Sequence, residues 1–164
     1  MKSDIIVELE RTKTRTLKYF ELPAEDLEKT YGPGKWTVRY LLNHLADSET
    51  VLFYRIRRVI SEPNQVIWVY DQAAWARKLD YSTVPLDLAR NLYSATRDGV
   101  IHHAARHYDG SDQIKFVHSE TGLRTLKDEF DKVVSHNDHH LGQIEQALKR
   151  SLREDAGRGG RGVA

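Results

Sequence analysis

Apolar side chains recur at the three- and four-residue spacing of amphipathic helices in four long stretches of the chain. These stretches cover residues 3–20, 37–61, 85–107 and 125–150. Each is long enough to present one apolar face to a common core. Four long helices without a convincing sheet predict an all-α protein, and specifically a four-helix bundle.

Helix-starting and helix-stopping residues lie close to the ends of these stretches. Ser3 and Thr37 can accept the free backbone N–H groups of a first turn, so both are predicted N-caps. Pro23 and Pro63 cannot continue a helix, whereas Pro85 is favoured at a first helical position. The third helix is predicted to place five residues roughly on one side, namely Leu88, Leu92, Ala95, Gly99 and His103.

The connection between the second and third predicted helices is unusually long. It allows a crossover instead of a strict up-and-down order. Within it, residues 66–70 have the composition of a strand, but no convincing partner strand is present. We therefore interpret residues 64–84 as a packed loop with a short helical turn at 71–76. Residues 115–122 are interpreted as a connector before the last helix.

Composition and charge exclude several classes of partner. Lys and Arg number 25 against 24 for Asp and Glu, so nothing suggests nucleic acid or an anionic membrane as a partner. No apolar run approaches the roughly 20 residues of a membrane helix, and no signal peptide is visible. The absence of Cys excludes disulfides and thiolate ligands, and it is compatible with the cytoplasmic location that we expect. Residues 1–152 are predicted to form one domain, followed by a flexible Gly- and Arg-rich tail at 153–164.

Eight histidines are the first indication of chemistry in the chain. On a helical projection of the last helix, His136 and His140 lie one turn apart and roughly 40° from each other, on the core-facing side. His139 falls on the polar side and is left out of the predicted site. On the second helix, His44 lies at the edge of the inner face, where a neighbouring helix can be reached.

Two histidines at positions i and i+4, with a third from a facing helix, predict a divalent metal site with open coordination positions. The alternative is that each ring is a core histidine with an ordinary hydrogen-bond partner. His103 and His107 share the i,i+4 spacing, but their position near a helix end favours a surface location; a contribution from them stays open. Gln143 has two interpretations: it forms a hydrogen bond with a ligand histidine or with bound water, or it only packs against the neighbouring helix.

Acidic and aromatic residues near His44 have less specific interpretations. Asp47 and Glu49 are turned away from the metal side by the projection, so we interpret them as solvated surface charges and predict no general base. Five aromatic residues would either line the mouth of a pocket or anchor the core and loops, namely Trp36, Trp68, Tyr70, Trp75 and Tyr81.

Several motifs in this order resemble the DinB/YfiT-like superfamily of small metal-binding four-helix bundles. They are WTVRYLLNHLADSE at residues 36–49 and HNDHHLGQI at residues 136–144, with VHSETGLRTLKDEF and YDQAAWARKLDY between them. The resemblance spans roughly residues 3–150. It implies metal ligands at His44, His136 and His140, an unusual helix order and a homodimer.

Three neutral imidazoles suit zinc, nickel or iron, and manganese is also compatible. We expect an enzyme with a small-molecule substrate. The resemblance to YfiT-like proteins linked to bacillithiol- or mycothiol-type transfer puts first the activation of a low-molecular-weight thiol for S-transfer to an electrophile. The alternative is a hydrolase that uses metal-bound hydroxide. The rival from another class is a non-catalytic, stress-related metal-binding protein, although structural sites usually have four protein ligands.

Overall fold

Four long helices form the framework of the computed structural model, which describes residues 4–159 and the side chains of residues 4–150. In chain order the elements are α1 (Asp4–Tyr19), α2 (Ala24–Leu27), α3 (Val38–Ser61), β1 (Val66–Ile67), α4 (Gln72–Lys78), α5 (Leu86–His107), a 3-10 turn (Ser111–Gln113), β2 (Lys115–His118), β3 (Gly122–Thr125) and α6 (Leu126–Gly159). Helices α1, α3, α5 and α6 make up the bundle, so the predicted four-helix fold is confirmed.

The order of the helices around the bundle decides which of them meet. Helix α3 packs against α5 and α6, and α1 packs against the same two helices, so α1 and α3 occupy opposite corners. In a simple up-and-down bundle, consecutive helices would be neighbours. The long connection predicted between the second and third long helices is present between α3 and α5. Because α3 and α6 lie side by side, side chains distant in sequence can share one site.

A small three-stranded sheet covers part of the bundle, so the interpretation of residues 64–84 and 115–122 as loop and connector is wrong at the strands. The short helical turn predicted at 71–76 is confirmed as α4. Strand β1 pairs in parallel with β2, and β2 pairs antiparallel with β3. The side chains of Phe116 and His118 alternate inward along β2, together with Ile67 from β1. A two-residue strand is too short to show periodicity, and its partner lies some fifty residues further along the chain.

The buried face of α5 differs from the predicted one. Its buried residues are Ala89, Tyr93, Arg97, Val100 and Ala104. By contrast, Leu88 and Leu92 are exposed. The prediction failed because Arg97, a residue type that is rarely buried without a partner, occupies the centre of the inner face.

The predicted helix ends can be checked where the structure describes them. The Thr37 side chain accepts a hydrogen bond from the backbone N–H of Tyr40 at 3.3 Å, which confirms this N-cap, whereas Ser3 lies outside the described residues.

Helix α6 continues into the predicted tail as far as Gly159. Residues 160–164 lie outside the described part, and the domain boundary at 152 stays a prediction. No helix in the described part of the chain is long and apolar enough to cross a membrane.

Candidate metal centre

Helices α3 and α6 bring three histidine rings together where they pack against each other. The Nε2 atom of His44 lies 3.2 Å from Nε2 of His136 and 3.1 Å from Nε2 of His140. The third side of the triangle, between His136 and His140, is 3.2 Å. The convergence follows from the helical positions, because His136 and His140 are one turn apart and face α3.

The three nitrogens have the spacing of ligands to a single ion. In a tetrahedral zinc site with Zn–N distances of about 2.0–2.1 Å, two ligand nitrogens are roughly 3.3 Å apart. Nδ1 of His140 lies 2.8 Å from Oε1 of Gln143, and when this nitrogen carries the proton, Nε2 keeps its lone pair. Lone pairs that converge at this distance repel one another unless a cation lies between them. The donor set therefore fits a divalent metal.

The surroundings keep these rings neutral, which is the form that binds metal. Burial lowers the pKa of His44 to about 3, with a further contribution from the charge of His140. Burial, followed by the charges of His140 and His44, lowers the pKa of His136 to about 2. Burial also lowers the pKa of His140, although the hydrogen bond with Gln143 acts in the opposite direction.

Polar side chains contact two of the rings. The hydroxyl of Ser48 lies 3.3 Å from both Nδ1 and Nε2 of His44, and 2.5 Å from the hydroxyl of Tyr70. Gln143 contacts Nδ1 of His140 with its oxygen, and its nitrogen lies 3.1 Å from Nε2 of His139. Gln143 therefore contacts a histidine that is a predicted ligand, and His139 lies outside the triangle.

No other cluster in the described part of the chain has the geometry of a metal site. The rings of His103 and His107 are 6.1 Å apart between centroids and do not form a ligand group. His102 is exposed and lies beside Arg106. No carboxylate of the described residues joins the three-histidine group.

The interpretation of Asp47 and Glu49 as solvated surface charges is wrong. Glu49 is 3% exposed and forms an ion pair with Arg97. Asp47 is half-buried and accepts a 2.5 Å hydrogen bond from the hydroxyl of Tyr81, and burial raises its pKa despite that bond. Both side chains point away from the metal side, as the helical projection predicted. That side is not open to solvent, because the segment around Tyr81 and helix α5 cover it.

Arg97 is the centre of a buried network that sequence reasoning missed. Its Nε and Nη2 donate to the two carboxylate oxygens of Glu49 at 2.6 and 2.8 Å. Nη1 donates to the Leu9 carbonyl and the Thr12 hydroxyl, and Nη2 also donates to Oδ1 of Asn137 at 2.7 Å. All five guanidinium N–H groups thus have acceptors. Since Asn137 directly follows His136, the network links the two helices that carry the histidines.

An open cleft of about 600 Å³ is lined by Trp36, Tyr70 and Glu120 among others, and by none of the three histidines. The Trp36 ring is 5.2 Å from the His44 ring, between centroids, and Tyr70 reaches the same histidine through Ser48. These two aromatic residues therefore lie between the cleft and the three-histidine group.

The other three aromatic candidates do not line this cleft. Tyr81 is buried, Trp75 packs edge-on against Tyr70 with centroids 4.9 Å apart, and Trp68 is 76% exposed. Tyr81 and Trp75 thus correspond to the alternative interpretation, as anchors of the core and of the middle segment.

Comparison with known proteins places this arrangement in a family. Residues 8–144 match the family model of the DinB superfamily. The chain belongs to the DinB superfamily. Within it, the chain is 32% identical over 131 residues to a protein of Oceanobacillus iheyensis named "Putative metal-dependent hydrolase OB0782", covering 79% of this chain and 75% of that one. A second protein of the same organism, "Putative metal-dependent hydrolase OB0413", is 26% identical over 130 residues, with the same coverage.

A solved structure shows the same fold. YfiT from Bacillus subtilis, described as "a probable metal-dependent hydrolase with an unusual four-helix bundle topology", matches with a TM-score of 0.82. The match covers 92% of this chain and 90% of that one, at 24% sequence identity. The diagonal placement of α1 and α3 is therefore an arrangement found in a solved bundle of this superfamily.

Proposed function

We propose that this DinB-superfamily protein is a metal-dependent enzyme acting on a small molecule, with His44, His136 and His140 as the ligands of one divalent transition-metal ion. The observation that carries the proposal is the Nε2 triangle with sides of 3.1–3.2 Å. Zinc, nickel and iron suit three imidazole ligands, and manganese is compatible with them.

Hydrolysis of an ester, amide or similar bond is the reaction best supported. When bound, a divalent ion held by three neutral ligands keeps its full positive charge, lowers the pKa of a coordinated water or thiol and polarises a substrate carbonyl. The relatives that match this chain are named as metal-dependent hydrolases, which supports hydrolysis over the S-transfer that the resemblance put first.

The chain's own residues would orient the site and hold the substrate. Gln143 fixes the ring of His140 so that Nε2 faces the other two histidines, and Ser48 contacts the edge of the His44 ring. Trp36 and Tyr70 provide aromatic surface for a substrate in the cleft and limit access of water to the His44 side.

S-transfer from a low-molecular-weight thiol is the second candidate. It is favoured by the absence of a carboxylate from the three-histidine group in the described residues. Attack by water benefits from a general base, whereas a thiol has a pKa of about 8.5 even when free and needs less help to ionise. A non-catalytic structural site is less favoured, because the described residues supply three ligands instead of four, and Trp36 beside His44 lines a cleft.

Turnover assays separate these reactions. Protein loaded with zinc, nickel or iron would be incubated with fluorogenic esters and amides, and separately with a panel of small thiols and a fluorogenic electrophile. Chelator-sensitive turnover without thiol would support the hydrolase. Thiol-dependent, chelator-sensitive turnover would support the transferase, and tight metal binding without any turnover would support the structural role.

We further propose that the protein is a cytoplasmic homodimer, as the resemblance to its superfamily implies. Light scattering on the purified chain tests the dimer, and a mass equal to that of one 19.0 kDa chain would contradict it. Fractionation of the source cells tests the location.

A further inference from the structure

A second cavity, of about 400 Å³, lies between the β2–β3 hairpin and helix α6. Its lining includes His118 from the end of β2, and Glu129 and Lys132 from α6. Lys132 is one helical turn before His136, or about 6 Å along the helix axis. The cavity is therefore a neighbour of the proposed metal centre and belongs to no element of the function described so far.

His118 presents a hydrogen-bond donor that no protein group uses. Its Nδ1 accepts the backbone N–H groups of Glu120 and Thr121 at 3.3 and 3.4 Å, so the neutral ring carries its proton on Nε2. The side chain is 5% exposed, and Nε2 is buried without a hydrogen-bond partner. Buried donors in folded proteins nearly always have a partner, so this N–H group is available to a bound molecule.

Lys132 contributes to this cavity an ammonium group without a bond to the protein, whereas Arg124, the other cation of the lining, lies 3.8 Å from Asp128. Among the described residues, no hydrogen bond or ion pair joins its ammonium group to another side chain. Its charge nevertheless acts on the surrounding groups: burial, Arg55 and Lys132 in that order lower the pKa of His118. Lys132 also lies close enough to His136 to contribute to the lowering of its pKa, after burial and the other two ring charges.

Two carboxylates around the cavity have partners of their own. Asp128 accepts the backbone N–H and the hydroxyl of Thr125. Asp131 accepts hydrogen bonds from Tyr108 and Lys127. Neither is therefore available to neutralise Lys132.

Glu129 is the exception among the acidic residues. It is 1% exposed, its Oε2 has no hydrogen-bond partner, and the nearest cation is Nη1 of Arg55 at 4.0 Å. The unused groups at the cavity are thus one neutral donor, one ammonium group and one buried acceptor.

We propose that this cavity is a substrate subsite that binds a small carboxylate, with His118 and Lys132 holding the carboxylate and Glu129 accepting a hydrogen bond from a hydroxyl or amino group beside it. The inference rests on the proposed function in treating the bound molecule as part of the substrate. An α-hydroxy or α-amino acid moiety satisfies all three unused groups at once.

The test is an NMR titration of the full-length protein with glycolate, acetate and ethylene glycol, observing the ring of His118 and the amides of Glu120 and Thr121. It is run as purified and again with chelator, so that binding of a carboxylate to a metal is excluded. Saturable shifts with glycolate, weaker ones with acetate and none with ethylene glycol are expected. Non-saturable shifts with glycolate, or equal affinities for glycolate and ethylene glycol, would overturn the proposal.

Two variants and a matched control test whether Lys132 and His118 bind the carboxylate. Lys132→Gln on the half-exposed face of α6 should weaken glycolate binding roughly tenfold, because a charge-assisted bond is lost. His118→Phe removes the donor and should have a similar effect if the variant folds. Lys149→Gln, which removes an exposed lysine of the same helix that does not line the cavity, should leave the affinity unchanged. Equal affinities in Lys132→Gln and wild type would overturn the assignment.

The result is separable from the proposed function. Glycolate binding in the presence of chelator, without any metal-dependent turnover, would keep the subsite and reject the enzyme. Chelator-sensitive turnover with no preference for carboxylate-bearing esters, and no glycolate binding, would keep the enzyme and reject the subsite.

Discussion

The guanidinium of Arg97 and the carboxylate of Glu49 form a two-point ion pair in the middle of the bundle, with N–O distances of 2.6 and 2.8 Å. Both side chains are almost completely buried. Glu49 is five residues after His44 on α3, and Arg97 also bonds to Asn137, which follows His136 on α6. The pair therefore joins α3 to α5, and the bond from Arg97 to Asn137 extends this link to α6 close to the three-histidine group.

Replacement of Arg97 by Met should destabilise the protein by about 3–5 kcal/mol, because Glu49 is left buried without a compensating charge. Urea unfolding measures the change. Arg97→Met combined with Glu49→Leu should recover much of the loss, since no uncompensated charge remains. Lys13→Met, which breaks the neighbouring surface pair with Asp98 between α1 and α5, is the control and should cost about 0–1 kcal/mol. Equal losses in Arg97→Met and Lys13→Met would contradict this view of the network.

Acid should destabilise the metal-free protein from slightly acidic pH downward. His44 and His136 have folded-state pKa values of about 3 and about 2, below the value of about 6.5 expected when unfolded. The stability that they contribute is complete above the unfolded value and is lost as the pH falls toward the folded values. Each histidine should therefore cost roughly 2 kcal/mol between pH 7 and pH 5.

Urea unfolding in chelator at these two pH values measures that loss. His44→Gln should make the drop smaller by about one histidine's share, whereas the exposed His102→Gln should leave it unchanged. A drop of the same size in wild type and His44→Gln would show that the buried ring is not the source.

Gln143→Leu should weaken metal binding about 10–100-fold while leaving the three ligands in place. The reason is that the side chain fixes the ring of His140 through a 2.8 Å contact with Nδ1. Competition with a chromophoric chelator measures the affinity. Gln146→Leu is the matched control on the exposed side of the same helix, and an identical affinity in the two variants would argue against an orienting role for Gln143.

Gly99→Ala should destabilise the contact between α3 and α5 by about 1–3 kcal/mol, although Ala is the better helix former. A Cβ at this position would lie 2.5 Å from the ring of Phe53. Gly142→Ala is the control, because a Cβ there has open space and should stabilise α6 by up to about 1 kcal/mol. Thermal unfolding compares the two, and stabilisation by Gly99→Ala would mean that the Phe53 ring moves away at no cost.

Long helices were predictable because their apolar period repeats over many turns, and Thr37 gave a local signal for the start of α3. The approach of His44 to His136 and His140 followed from the spacing of the last pair and the inner edge position of the first. That these rings bind an ion stays a prediction.

The wrong predictions share one physical cause. Contacts between residues far apart in the sequence decided the structure there, and the local spacing of apolar residues does not contain them. Arg97 and Glu49 are each unfavourable in a core alone, so reasoning from one helix at a time assigned Glu49 to solvent and missed Arg97. The pairing of β1 with β2 depends on a contact between distant segments, which no local periodicity encodes. Asn137, a polar residue one helical turn after the apolar Val133, was the available signal for a buried polar network.

Metal content per chain tests the central claim most directly. Elemental analysis of purified wild-type protein, His140→Ala and His139→Ala compares a predicted ligand with the adjacent exposed histidine. One equivalent of transition metal in wild type and His139→Ala, with most of it lost in His140→Ala, is the expected result. An unchanged stoichiometry in His140→Ala would contradict the assignment of His44, His136 and His140 as the metal ligands.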